Sequence, residues 1–197
     1  MKQTVQIYLS LFFRIGLLAV VASSFFLFTN LTTEGFDAAK FFVLFIFVSV
    51  CLLLLALQFV AESKVSFIRT PFDLPLALLL VVGIVSTAAS ASPYVSLLGQ
   101  NLRIHGSLAT LAVYVLFYFV LTQNIRGERQ IRGFLEICLW AGLGLAIITL
   151  CYYFGFKLLP TPLAQSPNFT PTGSSFSTAA QLAILIPIVV SRLTSTS

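Results

Sequence analysis

One short segment holds the residues best suited to chemistry. Arg103 and His105 lie within Gly99-Gln-Asn-Leu-Arg-Ile-His-Gly106. An arginine offers a permanent charge and a planar fork of donors, which suits a phosphate or a diphosphate on a lipid carrier. An arginine at the end of an apolar span can equally extend its charge to lipid headgroups. From the residues alone, Arg103 is therefore either a phosphate contact or an interfacial anchor.

His105 could carry protons, because an unperturbed imidazole titrates near neutral pH. A loop histidine with no carboxylate nearby in the sequence can also be an ordinary polar surface group. Acid–base catalysis requires the imidazole to lie within hydrogen-bond distance of the proton that is transferred. The three cysteines lie in apolar stretches and form no Cys-x-x-Cys pair, so they predict neither a disulfide framework nor a metal site. The sequence contains no phosphate-binding Gly-rich loop, His-Glu-x-x-His or nucleophile elbow. No catalytic residue is assigned.

The elements that must position this segment are membrane helices. Phe41 to Val60 has only Ser49 and Gln58 as polar residues, and about 20 apolar residues cross the roughly 30 Å of bilayer hydrocarbon as a helix. The sequence predicts an all-α fold, a polytopic membrane bundle of about six transmembrane helices. The predicted spans are Tyr8 to Phe28, Phe41 to Val60, Leu74 to Ala91, Leu108 to Gln123, Phe134 to Phe154, and Ser177 to Leu193, the last interrupted by Pro187.

Composition supports the same class. Hydrophobic residues make up 58% of the chain and charged residues 9%, whereas soluble domains have about 25% charged residues. The net charge is +5, but the basic residues lie between apolar stretches rather than in one patch. The positive charge therefore reports membrane topology and not nucleic-acid binding.

The loops predict the orientation. A cytoplasmic N-terminus places three basic residues, Lys40, Arg103 and Lys157, outside, with Arg14 set aside inside the first span. Seven basic residues then lie in the cytoplasm: Lys2, Lys64, Arg69, Arg126, Arg129, Arg132 and Arg192. This excess follows the positive-inside rule. Two loops are then exported, 92–107 and the proline-rich 155–176, and we expect function there.

The segment Ser92 to Gly106, running into Leu108 to Phe119, resembles the O-antigen ligase and polymerase family of bacterial membrane proteins. Gly99, Arg103 and Gly106 keep its Gly-x-x-x-Arg-x-x-Gly spacing. A second stretch, Thr172 to Pro187, is similar to the family's Thr-Gly-x-x-Gly-Asn-Pro-Asn before a span that ends in Leu-Pro. In this chain Phe176-Ser-Thr replaces the Gly-Asn-Pro.

The resemblance implies a glycosyltransferase of the bacterial inner (plasma) membrane, active in cell-envelope polysaccharide biosynthesis. Such proteins move a glycan from an undecaprenyl-diphosphate carrier to a lipid or protein acceptor, without a metal, cofactor or nucleotide sugar. Arg103 would contact the carrier diphosphate, whereas His105 does not match the family's essential histidine. Residues 1–197 would form a single transmembrane domain, the N-terminal portion of a larger one whose catalytic exported loop lies further on. The alternative is a non-enzymatic membrane module or a small transporter.

Overall fold

The computed structural model describes residues 2–29, 36–62, 68–99, 106–125, 127–156, 158, 160, 163–165 and 169–195. Of these residues 81% are α-helical and none is in a strand. The predicted all-α class is therefore confirmed. The physical reason is that continuous apolar runs can satisfy their backbone in hydrocarbon only by hydrogen bonding within each segment.

Seven α-helices are present in the described part of the chain. They are α1 (Lys2–Phe26), α2 (Asp37–Glu62), α3 (Asp73–Ala88), α4 (Pro93–Leu98), α5 (Leu108–Asn124), α6 (Glu128–Tyr153) and α7 (Ser175–Ser195). All except α4 coincide with a predicted span. A 3-10 turn covers Leu163–Gln165. Helix α7 continues through Pro187, so the span predicted across this proline is one helix.

Three of these helices are long and apolar enough to cross a membrane: Asp37–Val60, Glu128–Tyr153 and Ser175–Thr194. In an apolar stretch of 18 residues within each helix, only 22%, 11% and 11% of the residues are buried inside the protein. Apolar surface of this extent needs a nonaqueous surrounding. The chain therefore has the character of a membrane protein with three candidate spans, and the number six stays a prediction.

The chain divides into two compact units. The first comprises Met1–Leu17 and Phe41–Arg126, and the second comprises Leu18–Lys40 and Gly127–Ser197. Each unit has its own packed interior. In the first, the Phe13 and Phe47 ring centroids are 5.9 Å apart, and Phe117 meets Phe47 edge-on at 6.3 Å.

In the first unit, the segment before α3 is tied to α5 by side-chain hydrogen bonds. The buried Gln123 amide donates to the Ile68 carbonyl and accepts from the Ile68 N–H, both at 3.1 Å. Thr70 donates to the Asp73 carboxylate through its hydroxyl (2.5 Å) and its N–H (2.8 Å), and its hydroxyl also bonds the Tyr118 hydroxyl. The two hydrogen bonds from Thr70 lower the pKa of the Asp73 carboxylate, which precedes the apolar part of α3. The bonds to Gln123 and Tyr118 hold the segment before α3 against α5.

In the second unit, α6 and α7 pack closely and run antiparallel. A Cβ on Gly142 would overlap the Leu185 side chain, so this glycine permits close approach of the two helices. The carboxylate of Glu136 on α6 pairs with Arg192 on α7. Leu185 also belongs to a core cluster with Val21, Phe25 and Leu145.

Candidate functional site

A cavity of about 320 Å³ lies among α3, α4 and α5 in the first unit. Six of its lining residues carry a hydroxyl group: Ser86, Thr87, Ser96, Ser107, Thr110 and Tyr114. Gly83, Gly106, Leu108 and Leu111 complete the lining. Its volume falls at the lower end of the roughly 300–1,000 Å³ that ligand sites occupy. The cavity is therefore large enough for a small polar ligand.

Two glycines place the ends of the Gly99–Gly106 motif. Gly99 ends α4, where its N–H donates to the Val95 carbonyl at 2.8 Å and its φ is 85°. Gly106 has φ 79° and lines the cavity. Both angles lie in the region that glycine adopts without steric cost. The motif therefore spans from the end of α4 to the edge of the cavity.

Ser107 follows Gly106 and caps the N-terminus of α5. Its hydroxyl accepts from the Thr110 N–H at 3.2 Å and hydrogen-bonds with the Thr110 hydroxyl at 3.0 Å, and both residues are buried. A serine at this position satisfies one of the free N–H groups at the helix start. The cap fixes where α5 begins, and with it the position of the cavity wall.

Arg103 and His105 lie outside the described residues, so their predicted roles remain predictions. The structure locates only the motif glycines, Gly99 and Gly106, on either side of them. Along the chain, Arg103 precedes the cavity-lining Gly106 by three residues.

The lining determines what the cavity can bind. No charged side chain occurs among the described lining residues, which combine hydroxyl groups with the apolar side chains of two leucines. Hydroxyls can donate and accept at once, and they suit ligands that are themselves rich in hydroxyls. The tyrosine adds an apolar ring with a polar tip. The cavity thus favours an uncharged polar ligand, and a charged group would need a partner from beyond this lining.

The hydroxyl-bearing residues of this cavity are not among the site residues predicted from the sequence. A signal for them was present in the sequence. Ser86 and Thr87 interrupt the apolar run of α3, and Thr110 and Tyr114 are one helical turn apart on α5, which places the latter two on one face. The signal shows that each helix has a polar patch but not that the patches meet.

The second motif, Thr172 to Pro187, begins in a packed turn of the second unit. The buried hydroxyls of Thr172 and Thr178 are 2.5 Å apart, and Thr178 also donates to the Ser174 carbonyl. Gly173 has φ 94°, and a Cβ there would lie 2.9 Å from the Phe36 ring. This turn therefore has a structural role in starting α7, and we assign no chemistry to it.

The segment just before this turn is also anchored in the interior. Phe169 is buried, with its ring centroid 5.0 Å from those of Phe28 and Tyr152. The Lys40 ammonium donates to the Pro171 carbonyl at 3.4 Å. The described end of the proline-rich loop is thus part of the core of the second unit.

Within the described ranges, no three His, Cys, Asp or Glu side chains come together as a metal site. Comparison of the chain with protein-family models, curated proteins and solved structures finds no significant match. Function is therefore inferred from the motif and the cavity beside it.

Proposed function

We propose that this chain is part of a membrane glycosyltransferase of the O-antigen ligase and polymerase type. It transfers a glycan from a polyprenyl-diphosphate carrier to a lipid or protein acceptor at the bacterial inner membrane. The proposal includes six transmembrane helices and a cytoplasmic N-terminus. The observation that supports it best is the hydroxyl-lined cavity at the end of the Gly99–Gly106 motif.

The cavity and the motif suit different parts of such a donor. The hydroxyl lining, uncharged in its described residues, suits sugar rings, whose hydroxyls both donate and accept hydrogen bonds. The diphosphate needs a cation, and Arg103 lies three residues before the cavity-lining Gly106. A guanidinium binds phosphate oxygens through two parallel N–H bonds. The polyprenyl chain would remain in the bilayer.

In the reaction, an acceptor nucleophile bonds to the anomeric carbon and the polyprenyl diphosphate leaves with the electron pair of the broken bond. Negative charge then grows on the leaving diphosphate, and an arginine beside it stabilises that charge. The cavity residues would hold the sugar in position for attack. The group that takes the acceptor's proton is not assigned.

The proposal is tested by measuring binding of a polyprenyl-diphosphate-linked oligosaccharide to the purified chain in detergent. We expect Arg103→Ala to weaken binding by roughly 10–100-fold, the value of lost hydrogen bonds to a charged group. Arg103→Lys should recover part of the affinity, because an ammonium keeps the charge but loses the planar fork. His105→Ala should have a small effect. Unchanged binding by Arg103→Ala would contradict the diphosphate contact.

Cavity variants separate sugar recognition from diphosphate recognition. Thr87→Val removes a lining hydroxyl while keeping the side-chain shape, and we expect weaker binding of the glycan-linked carrier but not of the bare polyprenyl diphosphate. Thr122→Val is the matched control, because the Thr122 hydroxyl bonds the Phe119 carbonyl of its own helix and is not part of the lining. If neither carrier binds, the alternative of a non-enzymatic membrane module or small transporter gains support.

A further inference from the structure

Four strongly exposed aromatic side chains lie at one end of the second unit. Tyr153, Phe154 and Phe156 lie at the end of α6, and Phe176 lies at the start of α7. They are between 67% and 83% exposed. Tyrosine and tryptophan are enriched at the interface between lipid headgroups and hydrocarbon, and apolar phenylalanine rings without protein cover also need a lipid surrounding.

The register of α6 and α7 brings the four residues to one level. The helices are antiparallel, with Glu136 paired to Arg192 and Gly142 against Leu185. Continuing this register along the two helices places Tyr153 beside the start of α7. Phe176 therefore lies at the same end as Tyr153.

The end of α6 is fixed by a glycine turn. Gly155 has φ 84° and donates to the Tyr152 carbonyl at 3.0 Å, while Phe156 donates to the Cys151 carbonyl at 2.9 Å. These two bonds form a Schellman motif, which satisfies carbonyls at a helix C-terminus. The turn keeps Phe154 and Phe156 at the helix end.

The opposite end of both helices is charged. Glu128 and Arg132 form an exposed ion pair on α6, and Glu136 pairs with Arg192. At a helical rise of about 1.5 Å per residue, Glu136 is about 26 Å from Tyr153, and Arg192 is about 24 Å from Phe176. Both separations approach the roughly 30 Å thickness of bilayer hydrocarbon. The charged and aromatic ends thus match the two surfaces of a bilayer.

We propose that Tyr153, Phe154, Phe156 and Phe176 form a lipid-binding rim that contacts the glycerol and carbonyl region of the bilayer. The rim fixes the depth of α6 and α7 in the membrane. The partner is the bilayer surface itself, independent of any glycan carrier. The proposal does not depend on the glycosyltransferase function.

Depth-dependent fluorescence quenching tests the rim. The chain has a single tryptophan, Trp140, which is 72% exposed on α6 and lies about 20 Å along the helix from Tyr153. In a Trp140→Phe background, Phe154→Trp and Phe176→Trp each place one probe in the rim. Leu143→Trp is the matched control, because Leu143 is half exposed on α6 between the two ends.

The full chain would be reconstituted in phosphatidylcholine vesicles brominated either near the glycerol or near the chain ends. We expect both rim probes to be quenched more by the shallow bromines, and Leu143→Trp to be quenched more by the deep ones. Deep quenching of the rim probes would overturn the proposal. Absence of quenching at any depth would also overturn it, because the rim would then face water or protein.

Discussion

At the residue scale, the glycines of the candidate site have structural roles that differ from one another. Gly99 has φ 85° and ψ 176°, a region accessible almost only to glycine. Gly106 has φ 79°, and the space that a Cβ would occupy there is open, so its requirement is conformational and not one of space. The two glycines of the motif therefore allow a turn of the backbone at Gly99 and another at Gly106, on either side of Arg103 in the sequence.

Replacing Gly99 by alanine tests this role. We expect Gly99→Ala to lower the free energy of unfolding by about 1–3 kcal/mol, the cost of holding a side chain in a strained backbone region. Gly133→Ala is the control, since Gly133 lies inside α6 with no atom near its Cβ position, and alanine there should stabilise by up to about 1 kcal/mol. Thermal unfolding in detergent measures both. Equal midpoints for the two variants would show that the Gly99 turn carries no strain.

At the element scale, close approach of helices depends on single small residues. Gly142 lets α6 contact Leu185 of α7, and Gly83 lets α3 approach Leu108 and Leu111 of α5, whose side chains would lie 3.1 and 3.0 Å from a Cβ. Because lipid is as apolar as the side chains, helix association in membranes relies on such packing. The contact of Gly83 with Leu108 and Leu111 forms part of the cavity wall.

A double-mutant cycle tests the α6–α7 contact. Gly142→Val should destabilise the protein by about 1–3 kcal/mol through overpacking, and Leu185→Ala should cost about 2–5 kcal/mol by leaving a cavity. The double variant should cost less than the sum by at least about 0.5 kcal/mol, because the new methyl groups occupy the vacated space. Denaturant titration in detergent gives the four values. Strict additivity would mean that the two residues do not share this space.

At the scale of the whole molecule, topology connects the sequence to the proposed function. With the proposed cytoplasmic N-terminus, the Gly99–Gly106 motif and the segment before α7 would lie outside, where lipid-carried glycans would be transferred. In the same proposed orientation, the basic residues Arg129 and Arg132 at the start of α6 would lie inside.

Reporter fusions test this orientation. Alkaline phosphatase, which is active only after export, should be inactive when fused after Gly133 and active when fused after Phe156. A cytoplasmic reporter should give the reverse pattern, which controls for expression. Active phosphatase after Gly133 would invert the topology and place the proposed site on the wrong side of the membrane.

The sequence by itself determined the membrane character and the positions of the six longer helices. Both depend on properties that each stretch carries alone: continuous apolarity over about 20 residues and the need to satisfy backbone groups within one segment. The glycines at 99 and 106 were also visible, since their spacing matches the motif. The span over Pro187 was predicted as well, and packing and neighbouring groups can compensate for the N–H that a proline lacks.

Only the tertiary structure decided which side chains meet. Thr87 of α3 and Tyr114 of α5 line the same cavity. Gln123 hydrogen-bonds to the backbone of Ile68, which lies 55 residues earlier in the sequence. Glu136 pairs with Arg192 on the next helix, although Arg132 lies one turn away on its own helix. Hydropathy is a local property, whereas register and contact depend on how side chains of different helices fit together. A single sequence contains no separate signal for that fit.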